Sequence, residues 1–292
     1  MANGKACFGV VTGDGVVTLN ERLGGRYASL RDMLAADALA DDQKGRGRGE
    51  ARPQARGDPI SPGDPEPGKI LCAGINYRSH AAETGRELPK QPSMFIRLAN
   101  TLTGQDGEMI RPSVSQHFDF EGELAIVIGR GGRHIPVERA LDHVAGYTCF
   151  VDGSVRDYQK FSVTSGKNFP GTGPLGPWIV TSDEIPTRRA SMLTTRLNGE
   201  EVQKSGTDLL IYSVPQIIAF CSDFTSLVAG RRDRDRHAGR RRPSPHSAAV
   251  DEARRRARGR DFRHRHPAQP RRGRNVTRLT SRIHPCRARH TT

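Results

Sequence analysis

The stretch that decides the fold is "HFDFEGELAIVIGR", residues 117–130. The short apolar run from Leu124 to Ile128, followed by glycine, predicts a buried strand. Because side chains alternate along a strand, Glu121 and Glu123 should face the same side, about 7 Å apart. Two neighbouring carboxylates repel each other, so a cation between them, such as a metal ion, would stabilise the pair. The alternative is a solvated sheet edge with both carboxylates in water.

The basic charge of the sequence is confined to one end. The 292 residues carry a net charge of +14, which by itself suggests a nucleic-acid or anionic-surface partner. Residues 231–292, however, hold 21 arginines, no lysine and five acidic residues, a charge of +16. Residues 1–230 hold 25 basic and 27 acidic residues. The first 230 residues are therefore mildly acidic, and the excess charge lies in the tail.

Cysteine usage and hydropathy favour a reduced, cytoplasmic protein. The five cysteines are Cys7, Cys72, Cys149, Cys221 and Cys286, and none of them forms a C-x-x-C pair. Cys72, Cys149 and Cys221 lie in apolar segments that are typical of a protein core. We therefore expect no disulfides. The N-terminus has no basic segment followed by a long apolar stretch, and no apolar run approaches about 18 residues. We expect neither secretion nor a membrane span.

The segment order predicts two folded units joined by a linker. "KACFGVVTGDGVVTLNE" reads as a hairpin, and "YASLRDMLAADAL" as a helix that Ser29 caps. Residues 43–68 are rich in Gly, Pro and Arg without an apolar period. We assign 1–42 to a small N-terminal domain, 43–68 to a linker, 69–230 to a catalytic domain and 231–292 to a tail.

The catalytic domain has the pattern of a β-rich α+β fold. Short strands are predicted in "KILCAGI", "SMFIRL", "FEGELAIVIG", "YTCFVDGSV" and "GPWIVT". Helices are predicted in "YRSHAAETG", "PVERALDHVAG" and "SVPQIIAFCSDF", and Asn198-Gly199 predicts a hairpin. There is no regular strand–helix alternation, which favours α+β over a parallel α/β fold.

One glycine motif is rejected as a nucleotide site. "GTGPLG", residues 171–176, matches the dinucleotide fingerprint letter by letter. That fingerprint has to follow a strand and open a helix. Pro174 and the following "GPW" instead predict an extended loop that runs into a strand.

A third carboxylate strengthens the metal interpretation. Asp152 ends the apolar strand "YTCFV", where its side chain can point into a site. Glu121, Glu123 and Asp152 would together offer only oxygen ligands. That donor set suits Mg²⁺ or Mn²⁺ better than zinc, which prefers His and Cys.

From about Lys69 to Leu227 the sequence resembles the fumarylacetoacetate hydrolase family. The motifs that carry the resemblance are "KILCAGINYRSHAAETG", "FEGELAIVIGR", "VDGSVRDYQ", "GKNFPGTGPLGPWIVT" and "LNGEEVQKSGTDLLIYSVPQIIAF", in that order. The resemblance implies a mixed β-sandwich roll, a homodimer and a site that binds Mg²⁺ or Mn²⁺. It implies the following roles: metal ligands Glu121, Glu123 and Asp152; catalytic residues His80, Glu83 and Lys167; substrate-binding residues Arg156, Asp157 and Gln159.

Each of these roles has a plainer alternative. His80 could be a surface histidine and Lys167 a solvated lysine. Arg156 and Asp157 could form a structural ion pair.

The resemblance also implies the chemistry. A 1,3-dicarbonyl or 2-oxo acid can chelate a divalent cation, which stabilises the enolate formed when a C–C bond breaks. His80 would act as the base, oriented by Glu83, and Lys167 would stabilise an oxyanion or bind the substrate carboxylate. Family members act in catabolism of small aromatic or sugar acids as hydrolases, decarboxylases, isomerases or hydratases. Hydrolysis of a C–C bond is the first assignment, and the other three stay open.

After about residue 230 the sequence departs from the family pattern. The family continues with T-G-T-P, P-G-D and S-G-I-G, whereas this sequence continues with "RRDRDRHAGRRRPSPHSAAV". With plausible codons read one base later, "RRDRDRHAG" spells D-V-I-A-T-G-T-P, and two later stretches recover the other motifs at the same offset. We therefore predict a frameshift and a disordered tail, because the tail has too few apolar residues to pack. Losing the closing strands should leave the chain poorly folded and largely inactive.

A nucleic-acid-binding protein with a basic arm is the alternative from a different class. The tail has only one aromatic residue, Phe262, and no folded nucleic-acid motif. Binding through it would be non-specific and sensitive to salt, and it would explain none of the matched motifs.

Overall fold

The computed structural model describes residues 6–12, 15–39, 52–53, 67–78, 89–105, 107–185 and 191–229, with the backbone alone described at 52–53. All of these residues belong to one compact unit. Most of the predicted linker, most of the predicted helix at 77–85 and the whole 231–292 tail lie outside the described residues. The predicted domain boundaries remain predictions.

The described part of the chain is rich in strands. The strands are β1 (Gly9–Thr12), β2 (Gly15–Thr18), β3 (Arg52–Pro53), β4 (Ile70–Gly74), β5 (Ser93–Arg97), β6 (Leu102–Gly104), β7 (Phe118–Asp119), β8 (Gly122–Ile128), β9 (Val144–Val151), β10 (Ser154–Val155), β11 (Gly173–Thr181), β12 (Met192–Leu197) and β13 (Glu200–Gly206). The α-helices are α1 (Leu30–Ala35), α2 (Val163–Lys167) and α3 (Val214–Phe224). Short 3₁₀ turns cover Ala99–Thr101, Val137–His143, Tyr158–Lys160 and Thr207–Leu209.

The N-terminal elements confirm the predicted hairpin and helix. β1 pairs antiparallel with β2, and β3 extends the sheet on the other side of β2. Helix α1 begins after Ser29, whose hydroxyl accepts the backbone N–H of Asp32 at 3.1 Å. This capping bond satisfies one of the free N–H groups at the start of a helix. Leu19, Tyr27 and Met33 form a small core of their own between these elements.

A mixed four-stranded sheet positions the functional residues. Its order is β6-β11-β9-β8, with β11 parallel to β6 and antiparallel to β9. All eight residues of β9 are buried, as expected for a strand that is covered on both faces. β8 pairs antiparallel with β9, with Glu123 opposite Phe150. The core beside this sheet includes Ala140, Tyr147 and Ile218.

The remaining strands form short two-stranded sheets. β4 pairs with β5, β7 with β10, and β12 with β13. The β12–β13 hairpin turns at Asn198 and Gly199, whose φ angles of 52° and 91° are the left-handed values that this turn requires. The predicted hairpin is confirmed.

The β-rich α+β class is confirmed, and one element differs from its prediction. The predicted helix "PVERALDHVAG" is a 3₁₀ helix over Val137–His143, and Val144–Gly146 belong to β9. Pairing with β8 accounts for the early end, because Val144 already faces Ile128 in the sheet. The last four residues of "GTGPLG" already belong to β11, so the motif opens a strand and not a helix. Among the described residues no helix is long and apolar enough to cross a membrane.

An open cavity of about 340 Å³ lies against β8. Apolar side chains of β4, β8 and α3 line it, among them Leu71, Leu124 and Ile217, and each of these is only partly buried. The described chain reaches the wall of the cavity again at Leu227 and Val228. In the part of the chain that the structure describes, these side chains stay partly exposed, and covering them would add to the free energy of burial.

We predict that restoring the other reading frame after Gly230 stabilises the protein, because we expect the closing strands that the resemblance implies to cover this apolar wall. The restored chain should melt cooperatively at a higher temperature than the given chain in circular dichroism. It should also bind less 1-anilinonaphthalene-8-sulfonate. A sharp melt of the given chain, without binding of the dye and with the same midpoint as the restored chain, would contradict the prediction.

Candidate active site

Pairing between β8 and β9 brings the three predicted carboxylates to one place. Glu121 directly precedes β8, Glu123 lies in it, and Asp152 directly follows β9. The backbone N–H of Asp152 donates to the carbonyl oxygen of Glu121 at 2.7 Å. The two strands therefore end side by side with acidic residues at the same level. This register is what the apolar runs of both strands impose, since a slip by one residue would invert every side chain.

Lys167 lies between two of these carboxylates. Helix α2 ends at this residue, and its Nζ donates to Oε2 of Glu121 and to Oδ2 of Asp152, the latter at 2.5 Å. The Lys167 side chain is only 5% exposed, against 16% for Glu121 and 7% for Asp152. The solvated-lysine alternative is therefore wrong, because the ammonium is buried and paired with both carboxylates.

The neighbouring charges shift the two glutamates in opposite directions. Burial alone would raise the pKa of Glu121, but the Lys167 ammonium and the Arg156 guanidinium outweigh it and lower the pKa to about 2. Burial, together with the charges of Glu121 and Asp152, raises the pKa of Glu123 to about 8. Glu123 therefore carries its proton at neutral pH unless a further positive charge is present.

The predicted substrate-binding residues occupy two different environments. Arg156 donates to Asp119 at 2.5 and 2.8 Å, to Glu121 at 3.1 Å and to Gln159 at 3.1 Å. It is 39% exposed, so its guanidinium stands at the rim of the carboxylate cluster.

Asp157 faces another way. Its carboxylate accepts the Ser115 hydroxyl at 2.6 Å and the backbone N–H of Tyr158 at 3.2 Å. The ion pairs that Arg156 makes run to Asp119 and Glu121, so the Arg156–Asp157 pair that we considered is not the arrangement found here. The structure brings Arg156 and Gln159 to the cluster and gives Asp157 a role in the turn at Tyr158–Lys160.

His80 and Glu83 lie outside the described residues. Their roles as base and orienting acid stay predictions.

The donor chemistry of the cluster fits a hard divalent cation. In the described part of the chain, no three His, Cys, Asp or Glu side chains already stand as a metal-ligand set. The ammonium of Lys167 takes up lone pairs of Glu121 and Asp152 that a metal would use. The Glu123 carboxylate nevertheless lies close enough to Glu121 and Asp152 for their charges to raise its pKa, so three carboxylates share this region. Glu121, Glu123 and Asp152 are the residues that could hold Mg²⁺ or Mn²⁺.

Two charged residues of the site escaped the sequence analysis. Asp119 precedes Glu121 and Glu123 with the same period of two, so the strand pattern could have revealed it. Arg97, at the end of β5, contacts Asp152 and is completely buried, with 0% of its side chain exposed. The only local signal is a charged residue at the end of the apolar run "SMFI".

Comparisons with known proteins agree with this architecture. The sequence model described as "Fumarylacetoacetate (FAA) hydrolase C-terminal" matches residues 69–231. The mitochondrial oxaloacetate tautomerase FAHD2A of Homo sapiens is 37% identical over 168 residues, which cover 56% of this chain and 54% of that protein. The chain thus spans about half the length of the curated relatives of this type that it matches.

Two solved structures share the fold. A candidate HpcE protein from Mycobacterium smegmatis has a TM-score of 0.68 and 34% identity, and the match covers 76% of this chain and 80% of that one. Fumarylpyruvate hydrolase from Pseudomonas aeruginosa, solved with Mn²⁺ and pyruvate, has a TM-score of 0.52 and 31% identity. That match covers 56% of this chain and 74% of the hydrolase. Because the family's sequence model matches more than half of the chain, and the fold is the same, this protein belongs to the fumarylacetoacetate hydrolase family.

Proposed function

We propose that this protein is a divalent-metal-dependent enzyme that acts on 1,3-dicarbonyl or 2-oxo acids, with hydrolysis of a C–C bond as the reaction. The observation that carries the proposal is the pairing of the Lys167 ammonium with Glu121 and Asp152, with the Glu123 carboxylate close enough to feel their charges. Membership of a family whose relatives include a hydrolase and a tautomerase supports an enzymatic role.

Mg²⁺ or Mn²⁺ is the proposed cofactor, held by the same three carboxylates. A divalent cation in such a site supplies Lewis-acid polarisation of substrate oxygens. The Mn²⁺ and pyruvate bound in fumarylpyruvate hydrolase support this choice of metal and of an oxo-acid ligand.

The cationic side chains of the site would bind and orient the acid. Lys167 is buried beside the carboxylates, where an ammonium donates strongly to an oxygen that gains negative charge. Arg156 stands at the rim, and its planar guanidinium suits a carboxylate. In this scheme His80 removes or delivers the proton, and Glu83 orients the His80 side chain, as the resemblance implies.

Keto–enol isomerisation is the second candidate. The oxaloacetate tautomerase relative favours it, because that reaction also moves a proton beside a carbonyl of a 2-oxo acid. Isomerisation needs no attacking water, whereas hydrolysis does.

We further propose that activity is impaired in this chain, since its sequence lacks the T-G-T-P segment of the family that it resembles. The homodimer and the cytoplasmic location stay proposals.

Metal binding tests the proposal directly. The purified chain should bind one Mn²⁺ per protomer in isothermal titration calorimetry. Glu123→Gln should weaken binding by more than about tenfold, since loss of even an outer-shell partner of a metal ligand costs about that much. Glu138→Gln, at an exposed position of the Val137–His143 turn, is the matched control and should bind as the parent does. Equal affinities of the parent and Glu123→Gln would remove the basis for a metal site here.

The raised pKa of Glu123 predicts how stability depends on pH without metal. The folded protein holds this proton up to about pH 8, whereas the unfolded chain releases it near 4.5. The folded state therefore binds more protons between these values, so the free energy of unfolding should fall as pH rises and should level off above pH 8. Urea unfolding in EDTA at pH 6, 7, 8 and 9 measures this slope. It should be smaller in Glu123→Gln, and equal slopes would contradict the assignment.

Turnover separates the two candidate reactions. In MgCl₂ or MnCl₂, hydrolysis predicts release of pyruvate from fumarylpyruvate, whereas isomerisation predicts faster ketonisation of enol-oxaloacetate. EDTA should abolish either activity, and the frame-restored chain should exceed the given chain. Metal-independent turnover in both chains would refute the proposed mechanism.

A further inference from the structure

Arg97 is a buried charge, and one of its donors reaches a carboxylate of the candidate metal site. None of its side chain is exposed, and a buried charge is stable only when it is paired and hydrogen-bonded. Nη1 donates to Oδ1 of Asp152 and, at 3.1 Å, to the carbonyl oxygen of Gly153. Nη2 donates to the hydroxyl of Thr172 at 2.8 Å. The guanidinium thus connects the end of β5 to the residues that follow β9 and to the residue that precedes β11.

The two oxygens of Asp152 have different partners. Arg97 engages Oδ1, whereas Oδ2 accepts from Lys167 at 2.5 Å. Lys167 also donates to Glu121, so Oδ2 is the oxygen that faces the shared centre of the cluster. The contact with Arg97 therefore fixes which oxygen of Asp152 is available there.

The surroundings of Arg97 fit a guanidinium and not an ammonium. The N–H donors of a guanidinium lie in one plane and point in fixed directions. A single guanidinium can therefore donate to Asp152, Gly153 and Thr172 together. The Phe150 ring packs with its centroid 5.3 Å from the guanidinium carbon. A Cβ at Gly173 would stand 3.1 Å from Nη2, which is closer than ordinary van der Waals contact. A lysine would keep the charge and lose this fixed geometry.

We propose that Arg97 is a positioning residue of the metal centre: it holds Oδ1 of Asp152 so that Oδ2 is presented to the cation beside Glu121. This inference rests on the proposed metal-dependent function and adds a residue that acts only through Asp152. An outer-shell partner of this kind typically changes metal affinity by about 10- to 100-fold.

Arg97→Lys is the informative variant because it preserves the charge near the metal and changes only the geometry. Removing the charge instead would alter the attraction for the cation directly. We expect Arg97→Lys to weaken Mn²⁺ binding by at least about tenfold in calorimetry and to broaden the electron paramagnetic resonance spectrum of the bound ion. Arg139→Lys is the matched control, since Arg139 forms an exposed ion pair with Asp142. It should leave both measurements unchanged.

A double-mutant cycle with Asp152→Ala separates positioning from a merely structural role. If Arg97 acts through Asp152, Arg97→Lys should cost no further affinity for Mn²⁺ once Asp152 is alanine. An equal loss in both backgrounds would overturn the proposal, because Arg97 would then act by bracing the strands.

A second variant covers the case in which Arg97→Lys does not fold. Thr172→Val removes the acceptor of Nη2 and leaves the contact with Asp152 possible. It should weaken Mn²⁺ binding in the same direction by a smaller factor, and parental affinity would overturn the proposal. If the unmodified chain binds Mn²⁺ but Arg97→Lys lowers the affinity equally with and without Asp152, only the proposed role of Arg97 is refuted. If both the unmodified chain and the frame-restored chain bind no Mn²⁺, the proposed metal function is refuted, and the role of Arg97 with it.

Discussion

The buried contact of Lys167 with Glu121 and Asp152 is the interaction on which the site depends. It ties α2 to the ends of β8 and β9, which are also paired through the backbone of the sheet. Removing one partner of a buried ion pair leaves an uncompensated charge and typically costs about 3–5 kcal/mol. Replacing the lysine would therefore affect the fold of this region as well as any chemistry carried out there.

The charges of the cluster nearly balance. Asp119, Glu121, Glu123 and Asp152 face the cations Arg97, Arg156 and Lys167, which leaves one negative charge in excess. Burial, together with the charges of Glu121 and Asp152, raises the pKa of Glu123, and protonation of Glu123 removes the excess charge. A divalent ion would change the excess from one negative to one positive charge, which would attract an anionic acid.

Local periodicity predicted the parts of the site that follow from a single strand, and failed where contacts cross long stretches of sequence. The period of two placed Glu121 and Glu123 on one face, and the apolar run before Asp152 placed it at a strand end. Nothing local could place Lys167 between them or bring Arg97 to Asp152, because these contacts depend on sheet order and on the path after β10. The 3₁₀ segment Val137–His143 was misjudged for the same reason, since strand pairing of Val144 overrides helical propensity. Asp119 was missed although its spacing matched the glutamates.

Every described charged group of the cluster lies between Arg97 and Lys167 along the chain. The central part of this stretch is the β8–β9 pair, whose strands are joined by one connection through the Val137–His143 turn. Contacts between nearby segments close small loops and form early in folding. Since proteins emerge from the ribosome N-terminus first, this stretch is available for folding before anything after residue 230 has been translated. The charged residues of the acidic cluster are thus all translated before residue 230, near which the frameshift is predicted.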